Sequence, residues 1–474
     1  MKKVLVAGAA LMLAGGLYTS AASAAEVKPG VVITGDSRVR VYYKSEEYKS
    51  NWGNTKTPDY SATTDMDSRV RLNVTGTAAG GAYAKARIRM SEGQMGDMDT
   101  DTSQINNLNS NNIWVDVAFM GIPFNDTVTV ELGKYRSTYG PLGATYNFFY
   151  DDVNLTGGRG IIKAGSLEVN PFIEWMDESQ NISTTSGSGA DYPATVDTNS
   201  DDDEMRFGAH LKYNINKDWV VGGMIGYQSD DRAESPVPAN GNYSAGITQN
   251  NGGFGSVYTK GKSGQIGVIG ELAVTAADLN GFNSWIEDGN TSYTNTYGST
   301  VNWVSDQIGS NDTGFGGYVQ PSYTMDKLTM SLNLGFTAGG FLPDRAFGFV
   351  MLGGLDNSVI TRQAIGATGD WLWAGLIADY KINEQLKLTG NLVYADVSAW
   401  DSPGDGPGWT NSNTSIAIEN AWELSAVLQY TISKGMNVYV SAGYLDPSLE
   451  YVNSTLPLED DASFGTAARF ELAF

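Results

Sequence analysis

The chain has 474 residues, of which 53 are acidic and 30 are basic, with a single histidine and no cysteine. So acidic a chain is a poor ligand for nucleic acid, and without cysteine it has no disulfide framework, thiolate metal site or C-x-x-C-H haem attachment. Glycine is abundant (57 residues), proline is scarce (14), and aromatic residues make up 11%. This composition favours a large antiparallel β protein over a helical one.

The first residues predict a secretory signal peptide. Lys2 and Lys3 precede an apolar run, and Ala22–Ala24 provides the small residues of a cleavage site. We expect residues 1–25 to be removed and residues 26–474 to form the mature domain, with 28 basic against 53 acidic residues and a net charge of −25. No later apolar run approaches the roughly 20 residues of a membrane-spanning helix.

From residue 31 onward, segments of alternating apolar and polar residues come in pairs joined by short turns, which is the signature of β-hairpins. The predicted turns are rich in Gly, Asn, Asp or Lys and fall at 78–81, 121–126, 164–166, 215–218, 276–280, 324–327, 382–385 and 432–435. Eight hairpins, a first strand and a last strand make about eighteen strands. The segments near Gly157 and Phe282 are the weakest, so about sixteen remains open.

Long polar connections separate the hairpins. They fall at 44–65, 91–110, 138–156, 178–202, 230–262, 290–311, 338–368, 399–418 and 448–462. Structureless connections of this length are uncommon in a compact soluble domain, whereas a transmembrane barrel has short turns on one side and long loops on the other. The pattern therefore predicts a membrane-spanning barrel.

The last strand shows the alternation most clearly. Phe470, Leu472 and Phe474 fall on one face, and Arg469 and Glu471 fall on the other. Charge on a lipid-facing position is costly, up to roughly 2–4 kcal/mol for Arg or Lys at the midplane. We therefore expect the charged face of each strand to line the lumen.

A basic ladder is the first candidate site. Its predicted lumen-facing members are Arg38, Arg40, Arg69, Arg71, Lys85, Arg87 and Arg89 on three consecutive strands, with Arg159, Lys163, Arg206 and Lys212 further round. In a wide aqueous lumen these charges would contact solute and act as a screen. The alternative is that they pair with carboxylates such as Asp36, Glu168 and Glu174 and brace the wall.

The second candidate site is the connection at 138–156. Its apolar and aromatic residues, including Phe148 and Phe149, are unusual in an exposed loop. Folding inward would bury them and turn Asp151 and Asp152 toward the opening. The alternative is that this loop packs on a neighbouring subunit.

These features resemble the general porins of Gram-negative bacteria, in which a loop folds into the lumen and places carboxylates opposite arginines, and in which the last strand ends on an aromatic residue. The resemblance covers the architecture of the whole mature chain. It implies an all-β, transmembrane antiparallel meander β-barrel of about 16–18 strands, with long extracellular loops and short periplasmic turns. It further implies a homotrimer in the outer membrane, in contact with lipid and lipopolysaccharide, that passes small hydrophilic solutes and ions.

Other readings remain open. The acidic runs at 97–101 and 201–204 lack the Gly and Glu of an EF-hand loop, so they are either solvated or weak bridges for divalent cations to lipopolysaccharide. His210 has no accompanying serine motif, and we predict no catalytic residue, metal ligand or cofactor. A barrel that serves as a scaffold or adhesin, and a soluble exported β-sandwich or lectin-like enzyme, are the alternatives.

Overall fold

A computed structural model of the protein describes residues 28–48, 59–94, 113–137, 146–149, 153–178, 203–230, 251–276, 292–294, 300–302, 313–344, 346–354, 358–366, 369–399, 416–451 and 462–474. The predicted signal peptide lies outside this part of the chain. The strands are β1 (Gly30–Tyr48), β2 (Asp59–Thr77), β3 (Tyr83–Gln94), β4 (Ile113–Pro123), β5 (Val128–Ser137), β6 (Val153–Ala164), β7 (Leu167–Glu178), β8 (Asp203–Asn214), β9 (Trp219–Asp230), β10 (Gly252–Ser263), β11 (Ile266–Thr275), β12 (Ser292–Thr294), β13 (Thr300–Asn302), β14 (Gly314–Met325), β15 (Leu328–Ala338), β16 (Gly369–Lys381), β17 (Leu386–Ala399), β18 (Ile416–Ser433), β19 (Met436–Tyr451) and β20 (Ser463–Ala473).

Eighteen of these strands form one closed antiparallel barrel. Each strand pairs with the next along the chain, and β11 pairs directly with β14, because β12 and β13 form a separate two-stranded ribbon. The last strand closes the barrel on the first, with Asp36 opposite Ala473 and Ser45 opposite Phe464. The predicted meander and its count of eighteen strands are confirmed. In the described part of the chain, no helix is long and apolar enough to cross a membrane.

One predicted hairpin is wrong. The expected turn at 276–280 is instead the start of a long connection, and the short turn lies between β10 and β11, where Gly264 has a φ of +60°. β10 therefore occupies part of the predicted connection at 230–262. Its outward positions include Gly253 and Gly255, so the apolar half of the alternation is weak in the sequence. The segment near Phe282 lies outside the described residues.

The two faces of the wall differ as the alternation predicts. On β15, Leu332 and Leu334 are exposed on the outer surface, while Ser331 and Asn333 are buried inside. Apolar side chains are exposed in the same way on the outer surface of most strands. A closed barrel with an apolar outer surface satisfies its backbone hydrogen bonds within the wall, which is what crossing a bilayer requires.

Candidate functional site in the barrel lumen

The connection between β15 and β16 lies inside the barrel. We call its described residues, 341–344, 346–354 and 358–366, the inner segment. Nearly all of its side chains are buried, and Met351 and Ile360 are fully buried. The sequence pattern predicts one more external connection at 338–368, and the structure shows that this prediction is wrong. The apolar content of this segment was the available signal.

A buried carboxylate on the wall anchors the inner segment. Glu423 on β18 is 0% exposed and accepts hydrogen bonds from the backbone N–H groups of Val350 (3.0 Å), Met351 (3.1 Å) and Leu352 (2.8 Å). The Ser425 hydroxyl donates to the same carboxylate at 2.6 Å. These four hydrogen-bond donors fix both the Glu423 side chain and the backbone of the inner segment at residues 350–352.

Inward-facing glycines make room for the inner segment. A Cβ atom at Gly375 on β16 would lie 2.6 Å from the Phe349 ring, and one at Gly443 on β19 would lie 2.6 Å from the Met351 side chain. Because real Cβ atoms do not approach other atoms so closely, any larger residue at these positions would displace the segment. The barrel wall and the inner segment are therefore closely packed at these two glycines.

A second short stretch, residues 146–149, also packs inside. Phe148 is fully buried, and its N–H donates to the Glu271 carboxylate on β11 at 2.9 Å. The Phe148 ring stacks on Phe341 of the inner segment with centroids 5.3 Å apart, and the N–H of Asp344 donates to the Phe148 carbonyl at 2.9 Å. The hydroxyl of Tyr318 donates to the carbonyl of Tyr146. The two stretches thus form one packed unit.

This arrangement bears on the predicted constriction loop. The expected burial of Phe148 and Phe149 is confirmed, since they are 0% and 2% exposed. Asp151 and Asp152, the carboxylates expected to face the opening, lie outside the described residues. Their position therefore stays a prediction.

The first part of the basic ladder forms ion pairs across β1 and β2. The Arg40 guanidinium lies 2.8 Å from the Asp67 carboxylate. Asp36 is shared by Arg71 at 3.0 Å and Arg69 at 3.6 Å. Arg38 stands directly opposite Arg69 in the strand register. This part of the wall alternates positive and negative charge, which is the pairing alternative foreseen for Asp36.

The ladder continues in the same way on the following strands. Arg87 lies 2.6 Å from the buried carboxylate of Asp116 on β4, and Arg89 contacts the same carboxylate. Arg206 on β8 is 1% exposed, stands opposite the buried Glu174, and donates from Nε to the Gln228 side chain at 2.6 Å. Asp116 was missed from the sequence because a β-bulge between Arg87 and Ile88 shifts the register there.

Among the other predicted basic residues, Lys85 and Lys212 lie near the short turns. Lys85 is exposed on the inner face of β3, with its Nζ 5.4 Å from the centroid of the Tyr83 ring. Lys212 stands opposite Glu168 on β7. The ladder thus has two parts: arginines beside carboxylates along the wall, and lysines at one mouth.

His210 lies inside the barrel, as its face predicts. It is 2% exposed, with Nε2 2.7 Å from the Tyr258 hydroxyl and Nδ1 3.3 Å from the Asn170 amide. Both ring nitrogens therefore have hydrogen-bond partners within the wall. Within the described residues, no group of three His, Asp or Glu side chains could hold a metal ion. The acidic run at 97–101 lies outside this part of the chain.

Solvent reaches the inner wall unevenly. The arginine side chains on β20, β1 and β2 remain partly accessible, with Arg469, Arg40 and Arg69 at 21%, 14% and 16%. By contrast, Glu174 on β7 and Glu423 on β18 are fully buried. The inward arginines of β20, β1 and β2 are thus partly accessible, whereas Arg87 on β3 and Arg206 on β8 are buried.

Comparison with known proteins returns structures only. No protein-family model matches the chain, and no curated protein matches it. OccK11 (OpdR) of Pseudomonas aeruginosa is 12% identical with a TM-score of 0.48, covering 93% of this chain and 96% of that one. The outer membrane protein OpdK of the same species is 11% identical with a TM-score of 0.46, covering 94% and 99%. The anion-selective porin from Comamonas acidovorans is 11% identical with a TM-score of 0.41, covering 94% and 100%.

The class of this protein is that of a transmembrane β-barrel. Its own strand pairing and its apolar outer surface establish this, independently of the similar structures.

Proposed function

We propose that this protein is a porin of the Gram-negative outer membrane, which lets small hydrophilic solutes and ions diffuse passively through a water-filled pore. The observation that carries the proposal is the partly accessible sector of charged side chains on β20, β1 and β2 inside a closed barrel. Eighteen strands enclose more space than wall side chains alone fill. The inner segment and residues 146–149 occupy part of that space.

The narrowest passage in this proposal lies beside the packed unit, whose inner segment reaches the arginine-bearing wall where Arg362 donates to the carbonyl of Ser45 on β1. Paired charges such as Arg40 with Asp67, and Arg71 with Asp36, orient polar solutes and make entry of apolar solutes unfavourable. Asp151 and Asp152 would add negative charge on the opposite side. The bore sets the size limit, and no step requires a catalytic group.

The proposal includes the processing and surroundings of the chain. Cleavage after residue 25 leaves residues 26–474 as the mature barrel, which contacts outer-membrane lipid and lipopolysaccharide and assembles as a homotrimer. The outward apolar side chains support contact with lipid.

A second candidate function is a scaffold or adhesin that acts through its long acidic loops. The dense packing of the inner segment against β16, β18 and β19 favours it, because a lumen filled along its whole length would not conduct.

Planar-bilayer recording of the purified, folded protein tests the proposal. A porin gives stable, ohmic single-channel openings in KCl. Absence of stable openings from protein that is folded, as shown by its heat-modifiable mobility on gels, would exclude the channel and leave the scaffold.

A further inference from the structure

Two basic residues stand on the outer surface of the barrel wall. On the strands that the structure describes, the alternation sends every other lysine and arginine side chain into the lumen, whereas Lys134 and Arg136 of β5 fall on outward positions. Their neighbours fix this assignment, because Glu131 and Tyr135 are buried inside and Leu132 is 46% exposed outside. A lysine or arginine that faces lipid is costly unless it lies near the interface or has a polar partner. These two side chains therefore mark a place where the outer surface meets more than hydrocarbon.

Lys134 belongs to a row of hydrogen-bond donors across three strands. It stands directly opposite Thr156 on β6, and Thr156 stands directly opposite Trp175 on β7. Side chains opposed in this way on one face have Cβ atoms about 5 Å apart, and an ammonium, a hydroxyl and an indole N–H can all donate. Within the described part of the chain, none of the three has a hydrogen bond or an ion pair, and Lys134 and Thr156 are exposed. We call Lys134, Thr156 and Trp175 the donor row.

Arg136 lies two residues closer to the loop end on the same face. Its side chain is partly buried and has an interaction of its own, so Lys134 supplies the available charge of this surface. Arg159 donates to the Arg136 carbonyl at 3.2 Å, which ties this end of β5 to the inner wall. The donor row is therefore held on a fixed part of the wall.

The surroundings of the donor row are polar toward the loops and apolar toward the middle of the wall. Lys134 is three residues from Ser137, the last residue of β5, and this distance is only about 8 Å of height on a tilted strand. On the side of the short turns, Leu132, Met120 and Ile162 are 46%, 51% and 37% exposed on the outer surface. This order matches a lipid whose headgroup lies at the loop side and whose acyl chains extend toward the short turns.

The charge on the outer surface has the opposite sign elsewhere. Asp396 on β17 and Asp446 on β19 are exposed near the loop ends of their strands, and they face outward because Ala395 and Leu445 beside them are buried inside. Along the eighteen-stranded wall, β17 is ten strands from β5, which is about half of the circumference. An anionic headgroup is therefore attracted to the β5 side and repelled from the β17 side.

We propose that the donor row binds a phosphate group of lipid A, the phosphorylated glycolipid that anchors lipopolysaccharide in the outer leaflet. The proposal rests on the outer-membrane location given under the proposed function, and it adds where on the barrel this lipid is held. A lysine ammonium is a common partner of phosphate, and charge-assisted hydrogen bonds are the strong ones. With the phosphate at the donor row, the acyl chains cover Leu132 and Met120, which are exposed there.

Native mass spectrometry of the purified, folded barrel in detergent, with diphosphoryl lipid A as the probe, tests the proposal. We expect K134Q to weaken binding about tenfold, because a charge-assisted hydrogen bond is lost. K134R keeps the charge and should bind within about threefold of the unchanged protein. The matched control K217Q removes an exposed lysine from a short turn and should change binding less than twofold. Heat-modifiable mobility on gels shows that each variant is folded.

The same measurement with dephosphorylated lipid A assigns the effect to the phosphate. The unchanged protein should bind this lipid about tenfold more weakly, whereas K134Q should lose little further affinity, because its lysine contact is already gone. Phosphatidylglycerol and inorganic phosphate distinguish the source of the phosphate. The first should bind more weakly than lipid A, and the second should not displace lipid A at millimolar concentration.

Three results overturn the proposal: equal binding of lipid A to K134Q and the unchanged protein, equal binding of the phosphorylated and dephosphorylated lipids, or displacement of lipid A by phosphatidylglycerol or inorganic phosphate at equal or lower concentration. None of them touches the pore, so the proposed channel would stand. Conversely, an unchanged protein that binds lipid A at Lys134 but shows no conductance would remove the channel and leave the lipid site.

Discussion

The anchor at Glu423 gives the sharpest prediction about the lumen. In Glu423→Ala, the N–H groups of Val350, Met351 and Leu352 lose their acceptor, while the hydrogen bonds that β18 makes with β17 and β19 remain. The barrel should therefore stay closed while the inner segment is released from the wall.

The size of the effect follows from the three donors. Each buried N–H left without an acceptor costs about 1–3 kcal/mol, so the three together cost on the order of 3–9 kcal/mol. Water entering the space left by the side chain recovers part of this cost. The lower bound of about 3 kcal/mol still changes the ratio of seated to released segment by about 100-fold.

Single-channel conductance is the assay. We expect Glu423→Ala to show larger or fluctuating conductance levels, because the released segment no longer occupies a fixed part of the lumen. The matched control is Glu384→Ala, which removes an exposed carboxylate from a short turn and should conduct like the unchanged protein. Identical conductance traces from both variants would refute the role assigned to Glu423.

Three further changes test other parts of the structure. Gly443→Val introduces atoms where a Cβ alone would lie 2.6 Å from the Met351 side chain; the overpacking should cost about 1–3 kcal/mol and raise conductance, and an unchanged conductance would contradict it. Leu332→Arg places a charge on the lipid face and should lower stability by about 2–4 kcal/mol, as measured by urea unfolding in lipid vesicles; equal stability would mean that this face does not meet hydrocarbon. Asp116→Asn removes the carboxylate shared by two ladder arginines, so the reversal potential in a KCl gradient should move toward that of chloride, and a shift toward potassium would contradict the ion-pair geometry.

The strand pattern could be predicted from the sequence because the period of two is a local property. Leu332 and Asn333 fall on opposite faces whatever the rest of the chain does. The same reasoning failed at β10, where Gly253 and Gly255 occupy outward positions and leave only a weak apolar alternation. The predicted hairpin turn at 276–280 is wrong for this reason, and the observed turn lies at Gly264.

The contents of the lumen were only partly predictable. Apolar residues in a connection indicate burial, and this reasoning succeeded for Phe148. The inner segment carries the same signal, for example at Phe347 and Met351, which are buried as well. Glu423 could not have been singled out, because nothing local distinguishes it from other inward carboxylates until the fold brings three N–H groups to it.

The ion pairs of the ladder depend on the strand register. Arg40 and Asp67 are 27 residues apart and meet only because β1 and β2 pair in one particular alignment. The bulge beside Arg87 then moves Asp116 to a place that alternation alone would not give. Sequence reasoning thus identifies which side chains face inward but not which of them neutralise each other.

The central claim is that adjacent residues of one strand face water and lipid. Arg40 is inward and ion-paired, whereas Val41 is 41% exposed on the outer surface. Because the chain has no cysteine, R40C and V41C can each be modified by a sulfonate-bearing thiol reagent during single-channel recording. The account predicts that modification lowers the conductance of R40C and leaves that of V41C unchanged; an unchanged R40C current, or equal loss in both variants, would contradict it.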